Sequence, residues 1–494
     1  MATISTTQYL IDQAKRRLTP SLQTIPGMAA LDEKLRQRKW DEYVFSQPPA
    51  GSHLKPVMGD DGLPMLGHMI ETFRGGPAFA LESYRKRGPV YYTATPVIKS
   101  VVALGPDATQ EVFSNRNKDF STAGWNEVIG PFFNRGLMLM DGAEHMFHRR
   151  IMQEAFTRTR LSGYITHMDT VATQVVANDW PVNDRRFLFL PAIKELTLDI
   201  GAVVFMGHQP GSDHDLVTKI KRAYETTTRS GGAIIRTPVP PFKWWRGLRA
   251  RQTLEDYFIE RVKDKRGTDG TDMLTVLSHI ADEDGNAFSD ADIVNHMIFL
   301  MMAAHDTSSS TMTTMAYQLA ANPEWQDRLR EEGARLIGDH PLDIDTLDKL
   351  ETFDLVINES LRMVTPLPFN VRRAVRDTSI QGHFITAGTN IFLWPSMNHM
   401  LPELWDNPEK FDPERFAEPR NEHKRHRYAF APFGGGAHKC IGLVFGQLEI
   451  KAVMHRILQN YRLELPYPGY KPKYDFAGMP IPLDGMNLVL RPLR

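Results

Sequence analysis

The chain runs to 494 residues, 42% of them hydrophobic and 24% charged, with a formal net charge of −1. Such a balance supports a large core and sets up no global field that would draw nucleic acid or an anionic membrane. The single cysteine excludes an internal disulfide framework and any multi-cysteine zinc or iron–sulfur centre, and it fits a reducing, cytoplasmic setting.

In chain order, residues 1–60 are broken by Pro and Gly and read as an irregular N-terminal extension, closing at Gly59-Asp60-Asp61-Gly62. They hold no apolar core of signal-peptide length, and no run anywhere reaches the roughly 18 apolar residues of a transmembrane helix. Lys15, Arg16 and Arg17 beside Leu10, Ile11 and Leu18 read as a solvated helix face, with peripheral membrane contact as the alternative. Val90-Tyr91-Tyr92-Thr93 and Ser100-Val101-Val102-Ala103-Leu104 flank Thr95-Pro96 and predict a strand pair. From there to about Met363 helical patterning dominates. Within it, 231–242 is rich in Gly and Pro and reads as a flexible lid, with Trp244-Trp245 beside it as a second candidate membrane contact. Short strands return at 390–393 and 487–490. A helix-rich chain with a small β region drawn from distant segments is a single, mainly α unit over 61–494.

One helix stands out. Ser289-Asp290-Ala291-Asp292 resembles a capping box, and helix-compatible sequence then runs to Ala321, where Asn322-Pro323 stops it. About 32 residues at 1.5 Å each reach close to 48 Å, enough to cross a whole domain. A polar run, His305-Asp306-Thr307-Ser308-Ser309-Ser310, interrupts its otherwise apolar middle. The Thr307 hydroxyl can compete for backbone acceptors and loosen the helix there.

The strongest signal is Ala431-Pro432-Phe433-Gly434-Gly435-Gly436-Ala437-His438-Lys439-Cys440-Ile441-Gly442. Three glycines let the backbone turn tightly against a flat ligand. Gly442 opens a further helix, so Cys440 stands at a helix start, where free N–H groups favour a thiolate. An isolated cysteine is more often inert core, and a nucleophile is the other alternative. Phe at minus seven with Gly at minus four and plus two arises by chance in roughly 3 × 10⁻⁴ of cases on this composition, and a nucleophile has no need of that pattern.

This loop resembles the cysteine-ligand segment of the cytochrome P450 superfamily of haem-thiolate monooxygenases. His438 stands where that family more often has Arg. Other segments resemble the family in the same order. Glu359-Ser360-Leu361-Arg362 is similar to its E-x-x-R pair, and Arg415 in Pro413-Glu414-Arg415-Phe416 to the pair's buried third member. Ala303-Ala304-His305-Asp306-Thr307-Ser308 is similar to its oxygen-binding segment, and the segment from Asp141 to Arg150 to the helix that meets the haem propionates.

The resemblance implies the family's helix-rich prism, with a long central helix and small sheets, and a haem b cofactor with Cys440 as axial ligand to the iron. It implies Phe433, Gly434, Gly442 and Ala303 against the haem, and His145, Arg149, Arg372 and His438 as propionate partners, with Arg373 the alternative to Arg372. Asp306 and Thr307 become the catalytic proton relay. The family's distal pocket falls on Trp125, Ile129, Phe132, Phe299, Met302, Leu367 and Phe369, all apolar, which points to a lipophilic substrate such as a sterol, terpenoid or fatty acyl chain. The implied reaction inserts one atom of O2 into that substrate. Electrons come from NAD(P)H through a separate ferredoxin reductase and ferredoxin, for which the basic run His423-Lys424-Arg425-His426-Arg427 is a candidate dock. Two other readings stay open: a haem-thiolate peroxygenase or dehydratase, and a non-catalytic haem-binding sensor or carrier.

Overall fold

The computed structural model describes residues 21–493 apart from Val97, 182–184, 209–213, Ile234 and Glu283. The basic N-terminal stretch around Lys15 lies outside the described residues.

The long helix spans Asp290–Ala321 and runs unbroken. Ser289 caps it as the sequence predicts, its Oγ accepting the N–H of Asp292 at 3.2 Å, and Asn322-Pro323 ends it. Most of its residues are buried, because helices Phe189–Val204, Lys243–Arg266, Glu351–Met363 and Leu443–Asn460 pack around it. These helices share one large apolar core.

A seven-stranded sheet stands apart from this bundle. Its order is Tyr43–Ser46, Val57–Gly59, Val90–Ala94, Lys99–Ala103, Asn390–Leu393, Asn370–Ala374 and Phe120–Ser121. The predicted pair 90–94 and 99–103 is antiparallel, with Tyr92 opposite Val101. Strand Asn390–Leu393 joins distant parts of the chain, running parallel to Lys99–Ala103 and antiparallel to Asn370–Ala374. Asn487–Pro492 pairs instead with Tyr461–Glu464 and Arg185–Leu188.

The stretch expected to be irregular carries helix Met28–Gln37 and the first two strands of the large sheet. Ion pairs rather than apolar periodicity dock that helix. Arg36 bridges Asp32 at 2.9 Å and Glu82 at 3.0 Å, and Arg74 reaches Asp32 at 3.3 Å. Trp244 also differs from expectation. It is buried and packs edge-on against Phe132 at 4.7 Å, so it does not face a membrane.

Candidate active site

The cysteine loop is shaped by glycine. Gly434 and Gly436 have φ of +68° and +65°. At Gly436 a Cβ would also lie 2.0 Å from the Phe113 carbonyl oxygen, so no other residue fits that turn. The Cys440 N–H closes the loop on the Phe433 carbonyl at 3.0 Å, and helix Leu443–Asn460 begins just beyond. Cys440 is solvent-accessible yet enclosed by protein, as a side chain facing an internal cleft is. Burial raises its thiol pKa, while the Gly442 N–H, Arg149 and Lys439 pull it down. The net shift is upward. The helix-start N–H of Gly442 favours the thiolate, as read from sequence, and burial opposes it; a coordinated metal cation deprotonates a thiol outright.

Around the cleft stand two arginines with no ion pair among the described residues, Asp141 acting on Arg372 only through space. Arg372 is buried, and among the described residues its guanidinium donates only to the Val371 carbonyl, at 2.8 Å. Burial lowers its pKa to about 10. Its neighbour Arg373 is committed elsewhere, to Glu127 and to Asn390 Oδ1 at 3.0 Å, so Arg372 is the inward-facing member. Arg149, half-buried, forms no ion pair among the described residues, and burial lowers its pKa also. His145 and His438 stack with ring centroids 3.9 Å apart. His438 Nε2 meets Asp141 at 3.2 Å, and burial, then His438 and Arg149, depress His145 to about 4.

Trp125 adds a buried indole N–H with no acceptor. The adjacent Gly124 is packed so tightly on strand Asn370–Ala374 that a Cβ there would lie 2.8 Å from the Arg372 carbonyl, which sets Trp125 beside that strand. One accessible thiol, two guanidiniums with no ion pair among the described residues and an orphan indole N–H fit a single ligand that carries a metal and carboxylates. A haem with two propionates has that chemistry.

The central helix forms the opposite wall. Met302, Ala303, Ala304 and Thr307 are half-buried between fully buried turns. Thr307 Oγ1 donates back to the Ala303 carbonyl at 2.6 Å, the predicted competition, yet the helix stays continuous. The Asp306 carboxylate turns to the neighbouring helices, accepting from Lys194 Nζ at 2.6 Å and the Tyr224 hydroxyl at 2.8 Å. Against a desolvation that raises it, Lys194, His305 and Tyr224 hold its pKa below the usual carboxylate value. Lys194 and Tyr224 carry no motif, and nothing in the sequence marks them. Glu449, also missed, lies buried near Ser308 with one oxygen unpartnered, and burial pushes it up to about 7.

The predicted ion set forms outside the cleft. Arg362 grips Glu359 at 2.7 and 2.8 Å, and Arg415 Nε reaches Glu359 at 3.1 Å, all three buried. A fourth member, Glu422, completes it with Arg415 at 2.7 Å. Of the proposed pocket residues, Ile129, Met302, Leu367 and Phe369 are half-buried, and Ile129, Leu367 and Phe369 gather about Trp125 with Met138 and Leu139, which sequence reading missed. Phe132 is instead fully buried against Trp244, and Phe299 is wedged on Gly136, so both are core. The basic run 423–427 is largely neutralised: Arg425 chelates Asp406 at 2.8 Å, Lys424 meets Glu418 at 3.4 Å and His426 meets Asp107 at 3.3 Å.

A thiol-ended loop under a long helix, with two arginines that form no ion pair among the described residues, defines a haem-thiolate protein. The cytochrome P450 family model matches residues 57–485, and the chain belongs to that family; it is a haem-iron monooxygenase. It is 62% identical over 492 residues, 100% of both chains, to the putative cytochrome P450 136 of Mycobacterium tuberculosis. It is 26% identical to the putative cytochrome P450 120 of Synechocystis, over 91% of this chain and 100% of the other. Among solved structures, the retinoic acid-bound cyanobacterial CYP120A1 superposes with a TM-score of 0.80 at 25% identity, covering 88% of this chain and 98% of that one. Among the described residues, no helix is long and apolar enough to cross a membrane.

Proposed function

We propose that this cytochrome P450 inserts one oxygen atom of O2 into a lipophilic small molecule, with electrons from NAD(P)H delivered by a separate ferredoxin and reductase. The carrying observation is Arg372, a buried guanidinium with no ion pair among the described residues, together with the orphan Trp125 N–H and the accessible Cys440 thiol. Within one haem-binding unit over 61–494, Cys440 would ligate the haem iron, Gly434 and Gly442 would leave room for a flat ring, and Phe433 would pack against it. Arg149 and Arg372 take the propionates, with His145 and His438 beside them. When bound, the haem supplies oxygen activation, which no side chain here can provide.

Above it, small Ala303 leaves space, and Thr307 Oγ1 turns its proton from the Ala303 carbonyl toward the cleft. Asp306, ionised in the fold, would first take a proton from the partly exposed Lys194 ammonium, which solvent recharges, and then hand it to Thr307 as the Thr307 proton leaves. Apolar Ile129, Met302, Leu367 and Phe369 exclude water and favour a sterol-, terpenoid- or fatty-acid-like substrate. Relatives named taxane 10-beta-hydroxylase, from Taxus cuspidata, and beta-amyrin 6-beta-monooxygenase, from Solanum lycopersicum, support that class. The single cysteine fits a cytoplasmic setting.

Turnover under ¹⁸O₂ with ferredoxin, reductase and NAD(P)H tests the reading: one labelled oxygen should enter the product. Unlabelled product, or turnover that needs peroxide and not O2, would place the chain among peroxygenases or dehydratases instead.

A further inference from the structure

Resting on the reading of a lipophilic substrate, we infer that Arg236 at the rim of the cleft receives an anionic head group, so that the substrate is an amphiphile with a carboxylate at one end. Arg236 belongs to the segment between helices His214–Gly231 and Lys243–Arg266. It is half-buried, reaches across to the short helix Gly124–Val128 and donates to the carbonyls of Glu127 and, at 3.5 Å, Val128, with Nε on the Ala233 carbonyl at 3.3 Å. Its guanidinium also lies over the Trp244 ring, 5.0 Å from the centroid.

All of its hydrogen-bond acceptors among the described residues are neutral. A guanidinium has five N–H groups. Three are used here, leaving one on each terminal nitrogen. Carbonyl dipoles satisfy hydrogen bonds but do not cancel a net charge, and a half-buried cation without a counter-ion is costly to keep. The nearest carboxylate, Glu127, is already taken by Arg373 and by the Asn390 amide at 3.1 Å. Two guanidiniums therefore share one carboxylate, and the rim carries one unanswered positive charge. Arg251 shows the ordinary arrangement: it too donates to a carbonyl and to side-chain amides, but Glu255 balances it at 2.9 Å.

The position suits a head group. Ile129 follows directly on the carbonyls that Arg236 holds, and it belongs to the apolar set of Trp125, Met138, Leu139, Leu367 and Phe369. Gly231, the last residue of the preceding helix, comes up against Ile129, a Cβ there lying 4.0 Å from it, so the segment carrying Arg236 starts beside that set. Ile235, at 62% exposure, and Val239, at 48%, flank the arginine outside. An apolar body inside with an anion at the rim satisfies both surfaces.

Calorimetric and spin-state titrations of the holoenzyme test this with hexadecanoic acid, hexadecyl sulfate, methyl hexadecanoate and hexadecylamine, and with abietic acid and its methyl ester as a second skeleton. The acids should bind at least about tenfold tighter than their esters. Arg236→Ala should shrink that gap below about threefold while ester affinity holds, Arg236→Lys should keep it, and Arg236→Glu should turn preference toward the amine. Preference for the sulfate alone would move the head group from carboxylate to sulfate and overturn the stated class. Equal losses for acid and ester in Arg236→Ala would reduce the arginine to a lid latch. The same holds if the wild type shows no preference for the acids or binds none of them. Each of these results contradicts the inference without touching the haem assignment, which the ligand-free spectrum reports separately.

Discussion

Two groups of arginines, Arg362 with Arg415 and Arg149 with Arg372, are built in opposite ways. Arg362 and Arg415 are matched by Glu359 and Glu422, with the remaining donors spent on the His399, Asp406 and Lys410 carbonyls. Arg149 and Arg372 face the cleft with no ion pair among the described residues, and Asp141 reaches Arg372 only through space. A closed set holds segments together and needs nothing further. An open set is stable only when something outside the polypeptide answers it, and that difference separates scaffold from site.

Breaking the closed set should have the largest effect. Glu359→Ala leaves the buried Arg362 guanidinium without a carboxylate and Arg415 with Glu422 alone, and should lower stability by about 3–5 kcal/mol, with little folded haem protein recovered, as read by urea unfolding and the Soret-to-protein ratio. Arg372→Ala should do the reverse in the two forms: the apoprotein holds its stability or gains up to about 1 kcal/mol, while the holoprotein loses haem at least about tenfold faster to an apomyoglobin trap. Loss of apoprotein stability comparable to that of Glu359→Ala would erase the distinction between the sets.

Buried histidines sharpen it through pH. Burial depresses His296 and His399 to about 3 and His305 to about 4, so each stays neutral in the fold while the unfolded chain protonates near 6.5. Stability from these groups is complete above about pH 6.5 and declines as pH falls toward 4, by up to about 1.4 kcal/mol per pH unit for each histidine. His68 behaves oppositely. Clamped by Asp60 at 2.6 Å and Glu71 at 3.0 Å, it is raised to about 9, so its contribution is present below 6.5 and is lost as pH rises through 9. His68→Gln should therefore flatten the alkaline limb of a denaturation profile and, because it removes the imidazolium that lowers Asp60, make the acid limb shallower as well. The smallest effect belongs to the neutralised surface run: Lys424→Ala should change stability by under about 0.5 kcal/mol and ferredoxin reduction rates by less than twofold.

Local signals were legible. The Ser289 cap and the Asn322-Pro323 stop bounded the central helix, and β-branched and aromatic runs marked three of the seven strands of the large sheet, 90–94, 99–103 and 390–393. The spacing of Glu359 and Arg362 also showed, because three residues on a helix is a contact in itself. Partners supplied by the fold did not show. Lys194 and Tyr224 meet Asp306 from 112 and 82 residues away, and Glu422 joins Arg415 through a loop without periodicity. Phe132 and Phe299 looked like pocket because sequence shows that a residue is apolar and not which way it faces. Helix Met28–Gln37 was missed because its docking is ionic.

The reduced carbon-monoxide spectrum of the haem-loaded protein tests the central claim most directly. With Cys440 as ligand, the Soret band should stand at the long-wavelength thiolate position, and Cys440→His should move it to the shorter wavelength of an imidazole-bound haem. A folded wild-type protein whose band already lies at that shorter wavelength would contradict the account.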